Sequence, residues 1–99
     1  MAQFDVYRNP GGAGFLLDIQ SDLLDQLSTR VVAPLLPLAQ FAKPASRLNP
    51  VFDIAGQRVV MVTQFMAAVP LSELKQRTGS LANRHHEVVA AVDVLLSGI

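Results

Sequence analysis

The sequence predicts an α+β domain, mainly β, in which a five-stranded antiparallel sheet is packed by one C-terminal α-helix. Three observations predict it. Up to residue 70, apolar residues recur in short alternating runs separated by turn residues, the period-2 signature of half-buried strands. From about Leu81 the period becomes helical and holds to the last residue. Strands first and one long helix last is the order of an antiparallel sheet with its helix on one side. The 99 residues make one domain, 1–99. A chain of that size buries roughly 60–70% of its extended surface, enough for a core without metals or disulfides.

In chain order, Phe4 and Val6 alternate with Gln3, Asp5 and Tyr7, and Phe15, Leu17 and Ile19 alternate with Leu16, Asp18 and Gln20. The cluster Asn9-Pro10-Gly11-Gly12 joins these runs as a hairpin. Thr29 to Leu35 is a third strand, rich in β-branched residues and limited by Pro34 and Pro37. Residues 36–50, with Pro37, Pro44, Pro50, Lys43 and Arg47, form a long semi-rigid loop with a helical turn near Leu38–Phe41. Val51–Ala55 and Arg58–Met66 flank Gly56-Gln57, a second hairpin with Gly at the first turn position. Leu71–Gly79 reads as irregular, and Ser80 as the N-cap of the final helix.

On a wheel of about 100° per residue, Leu81, Val88, Val92, Leu95 and Ile99 fall within about 60°, with Val89 and Leu96 beside them. Asn83, His86, Ala90, Asp93 and Ser97 take the opposite side. Gly98 stands where helices commonly break, which leaves Ile99 and its carboxylate free to point at a partner. The plainer expectation is a last residue packing at a sheet edge.

Composition narrows the function. The formal charge is zero, and it is balanced locally: residues 1–50 and 51–99 each carry four basic and four acidic side chains. Gripping a phosphate backbone needs a clustered cationic face, so direct DNA binding is not expected. With no cysteine, disulfides, thiolate metal sites and cysteine nucleophiles are excluded. No membrane span or secretory signal is read, so the expected location is cytoplasmic. Apolar residues are 51% and charged ones 16%, against ordinary values of about 45–50% with glycine included and about 25%. The surplus points to an apolar surface patch and, most simply, a homodimer.

Nothing reads as catalytic. His85-His86 point about 100° apart and lack a third ligand, so they are solvated helix residues rather than a metal site. Asp18 lies on a strand, while Asp22 and Asp25 sit in a loop as turn and cap residues. No nucleophile elbow or phosphate loop is present, and no cofactor is implied. Leu23-Leu24 is more suggestive. Either one leucine plugs the base of the core, or the pair offers an apolar contact to a partner.

Taken together, Gln3-Phe4-Asp5-Val6-Tyr7, Leu17 to Asp25 (LDIQSDLLD), Thr29 to Leu35 (TRVVAPL), Met66 to Pro70 (MAAVP) and the terminal Gly98-Ile99 resemble the CcdB family of plasmid and chromosomal toxins. The resemblance runs in order along essentially the whole chain. It implies a homodimer with an SH3-like curl of sheet, related to the MazF-like fold, that binds the A subunit of DNA gyrase and traps the enzyme with its DNA broken. It also implies a CcdA-type antitoxin whose disordered arm wraps the toxin, the complex repressing its own operon and meeting DNA only through the antitoxin. The alternatives are a MazF-like endoribonuclease, which needs a basic RNA-tracking cleft, and a decayed toxin that still binds antitoxin.

By the resemblance, the gyrase-binding residues are Leu23, Leu24, Asp93, Ser97, Gly98 and Ile99. The antitoxin-binding residues are Arg8, Asn9, Gly12, Lys43 and Arg47. One departure stands out. Where the best-known family member ends in Trp-Gly-Ile, Ser97 holds the tryptophan position, and Asp93 replaces a helix asparagine. A serine cannot stack, which leaves the grip on gyrase weaker, shifted to Ile99, or lost.

Overall fold

The computed structural model describes residues 2–41 and 43–98. Among the described residues the strands are β1 (Asp5–Arg8), β2 (Phe15–Asp18), β3 (Thr29–Pro37), β4 (Val51–Ile54), β5 (Gln57–Met61), β6 (Ala67–Pro70) and β7 (Arg77–Ser80), and the last element is α1 (His85–Ser97). The strands form one antiparallel sheet, in the order β4-β5-β3-β2-β1-β7 with β6 also on β3, which curls into a half-barrel. The mainly β, α+β class is as expected, but the sheet has seven strands rather than five.

The nine residues of β3 organise the sheet. One side of the strand pairs β2, with Leu17 opposite Ala33 and Phe15 opposite Leu35. The other side is shared: Thr29–Val32 pair β6, and Leu35–Pro37 pair β5. Pro34 falls between these partners, and its carbonyl accepts from the Val62 amide at 2.9 Å. A strand residue turns its N–H to the same side as its C=O. The missing proline N–H therefore faces the gap and costs no ladder bond, so the strand passes through a residue expected to limit it.

Both faces of the sheet are buried in its centre. Val6, Phe15, Leu17, Ala33, Leu35, Phe52, Val59 and Met61 make the main core, closed by Leu81, Val88 and Ala91 from the helical segment. The reverse face, which alternation marks as polar, holds a second cluster of Tyr7, Leu16, Val32 and Leu74. Asp18, Gln20 and Arg30 lie buried on that same reverse side by strand parity.

Turn chemistry explains the connections. In the first hairpin the Gly11 amide donates to Asn9 Oδ1 at 2.9 Å. Gly14 sits at φ +85°, and a Cβ there would lie 2.2 Å from the Leu35 carbonyl oxygen, so only glycine fits. The second hairpin turns at Ala55-Gly56 rather than Gly56-Gln57, with φ of 52° and 79°. Both central residues at positive φ is the type I′ pattern, in which alanine is strained and asparagine is not. Ala55→Asn is expected to raise stability by about 0.5–1 kcal/mol. An unmoved urea midpoint at constant slope would contradict the strained turn.

Two segments differ from expectation. The run 58–66 is not one strand: it stops at Met61, makes a 3-10 turn at Thr63–Phe65 and returns as β6. The segment read as irregular before Ser80 contains β7, paired to β1 and tied by Arg77 to Asp5 at 3.2 Å. The helix also starts later. Ser80 Oγ accepts from the Ala82 amide at 3.1 Å, but Ala82–Arg84 form a 3-10 turn, and α1 begins only at His85.

Candidate functional site

The turn joining β2 to β3 displays its leucines. Leu23 is 92% exposed, Leu24 50% and Leu27 49%, so neither leucine of the pair plugs the core. Residues 22–28 are all exposed, and the turn has no apolar anchor of its own. Its shape comes from hydrogen bonds. Asp22–Leu24 form a 3-10 turn capped by Ser21, whose Oγ accepts from the Leu23 amide at 3.2 Å.

Beneath the turn lies a buried polar cluster. Arg30, 1% exposed, donates to Asp18 Oδ2 through Nη2 at 2.6 Å and through Nε at 3.0 Å. The same Nη2 reaches the Gln20 carbonyl at 3.3 Å and Asp22 Oδ1 at 3.4 Å. Asp22 Oδ1 also accepts from the Gln3 amide at 2.8 Å. The next residue, Phe4, donates from its amide to the Asp18 carbonyl and accepts from the Leu81 amide at 2.8 Å. The N-terminal segment thus stitches the leucine turn to the start of the helical segment. Burial holds the Asp18 carboxyl above its usual range, and the Arg30 hydrogen bonds, the Gln20 amide and the Arg30 charge offset only part of that rise.

The second predicted piece is the end of α1. Gly98 takes the left-handed conformation at φ 75° and its amide closes on the Val94 carbonyl at 2.9 Å, so the helix does end there. Asp93, Ser97 and Gly98 are exposed. The Ser97 hydroxyl turns back to the Asp93 carbonyl at 2.7 Å instead of reaching outward. Ile99 lies outside the described residues. The predicted apolar stripe is only partly used: Leu81 and Val88 are buried, while Leu95 (38%), Val89 (45%) and Leu96 (71%) face solvent. His85 and His86 stack on each other with ring centroids 4.0 Å apart, and His85 Nδ1 lies 2.8 Å from the Ala82 carbonyl. That is a helix-start contact.

The residues expected to meet an antitoxin fall into two places. Arg8 and Asn9 line a groove of about 380 Å³ with Pro10, Ser72, Glu73, Lys75 and Gln76. Gly12 is exposed at the hairpin tip. Arg47 lines a separate cavity of about 310 Å³ with Pro50, Glu87 and Ala90, and Lys43 is exposed in the same loop. Beside that second cavity, Arg84 is bound to Glu87 and stacks 4.8 Å over Phe52. The Arg84 hydrogen bond holds the Glu87 carboxyl below its usual range.

Gln20 and Arg30 both shape the turn, although neither stands out in the sequence as a functional residue. One signal is present: Asp18 and Arg30 occupy adjoining strands at positions where a solvated face would not need opposite charges. Among the described residues, no helix is long and apolar enough to cross a membrane. Compared with known protein families, the chain matches the one described as CcdB protein over residues 3–98.

Proposed function

The chain belongs to the CcdB family, a family of toxins of the CcdA/CcdB type, and from that premise we propose that it binds the A subunit of DNA gyrase and traps the gyrase–DNA cleavage complex. The observation that carries this reading is the Leu23-Leu24 pair, held out in solvent on a turn that buries none of its own side chains. Exposed leucines on an ordered turn suit a protein contact, and the protein acts by binding, with no bond-making step and no cofactor. The exposed end of α1, at Asp93, Ser97 and the capping Gly98, supplies the rest of the surface, together with Ile99, which follows in sequence. Leu23→Ser is expected to change stability by no more than about 0.5 kcal/mol. It should weaken binding to a gyrase A dimerisation-domain fragment by about tenfold or more. Unchanged affinity in the folded variant would remove the turn from the contact.

The working unit in this reading is a homodimer. Leu95, Leu96 and Val89, exposed on α1, match the apolar surplus of the composition, and a second copy is the simplest cover for them. The antitoxin's arm engages the groove at Arg8 and Asn9 and the loop at Lys43 and Arg47. Four cations or polar donors spread over two sites favour a long acidic arm over a compact partner. Operon repression then needs the antitoxin for its DNA contacts, consistent with a toxin whose own charge is zero.

A further inference from the structure

We propose that Gln20 is a positioning residue for the Leu23-Leu24 pair, with Arg30 as its brace. The proposal rests on the reading that these leucines contact gyrase, and it names what makes them ready to do so. A turn whose residues 22–28 are all exposed has no hydrophobic burial to fix its shape. Left to itself it would sample many conformations and would have to be ordered on binding, at a cost to affinity.

The Gln20 side chain removes that freedom. Its Oε1 accepts from the Val31 amide at 3.0 Å, which locks the side chain to β3. Its Nε2 donates to the Leu24 carbonyl at 3.0 Å and to the Thr29 carbonyl at 3.3 Å. One side chain therefore ties the second leucine's own peptide to the strand beyond the turn. Arg30 fixes the Gln20 backbone through its carbonyl and holds Asp22 at the other foot of the turn. Gln20 is itself buried at 8% exposure, so these bonds do not compete freely with water.

Amide hydrogen exchange and gyrase binding together test this. In the unaltered protein, the amides of Leu23, Leu24 and Leu27 should be protected despite their exposure, since each has an acceptor within the turn. Exchange at unprotected rates would overturn the proposal without any variant. In Gln20→Met, protection of these amides should fall by about tenfold while amides of the central strands, such as Leu17 and Leu35, keep theirs. Affinity for the gyrase A dimerisation-domain fragment should weaken by a similar factor. A loss of protection spread evenly over the chain would make Gln20 merely a stabilising residue. A loosened turn with unchanged affinity would also overturn the proposal. Unaltered protein that binds no fragment would refute the gyrase reading instead, and the exchange contrast would then decide the positioning role on its own.

Discussion

Arg30→Met is expected to destabilise the protein by about 3–5 kcal/mol, because it leaves the Asp18 carboxylate buried without its cation. Asp18 is fully buried, and both hydrogen bonds between the two side chains come from the guanidinium. For a domain whose total stability is about 5–15 kcal/mol, such a loss is a large fraction. The midpoint of thermal unfolding should fall by roughly 15–30 °C.

The same variant should acquire a pH dependence of definite sign. Burial already raises the folded carboxyl above 3.8, and the variant removes the Arg30 contributions that pull it down. The folded variant then binds a proton that the unfolded chain has released. Its stability should rise as pH falls from neutral toward the unfolded value, and be lost again as pH rises through the raised folded value. Asp18→Leu combined with Arg30→Met should recover most of the stability, since no charge is left buried. A single variant that melts like the parent at neutral pH would contradict the account of the pair.

Much of this fold is legible in the sequence. The hairpin at Asn9–Gly12, the strand from Thr29 and the terminal helix broken at Gly98 all carry strong local signals. The hidden parts lack apolar contrast. Arg77-Thr78-Gly79-Ser80 has no alternating pattern, and β7 exists through backbone pairing to β1 and one ion pair. The reverse face of the sheet reads as polar because Asp18, Gln20 and Arg30 are polar. They are buried only because Asp18 and Arg30 satisfy each other and Gln20 is satisfied by backbone groups of the turn and β3. Periodicity reports which side chains prefer water, and cannot report that three of them have replaced water with partners. The same limit applies at the candidate site. The leucine pair is visible as a pair, while its exposure depends on that hidden cluster.

Removing Gly98 and Ile99 is expected to abolish toxicity while leaving the fold intact. Gly98 makes one capping hydrogen bond and is exposed, so its loss costs a frayed helix end, typically well under the stability of the domain. The binding loss should be far larger. Deleting an apolar anchor at the centre of an interface commonly costs ~2 kcal/mol or more, about thirtyfold in affinity. Ser97 cannot compensate, since its hydroxyl is engaged with the Asp93 carbonyl.

The most direct measurement is a titration of a gyrase A dimerisation-domain fragment with the full chain and with the folded form lacking Gly98 and Ile99. Binding by the full chain, weakened about thirtyfold or more in the shortened one, is the predicted result. A full chain that folds, dimerises and does not bind the fragment would contradict the central claim.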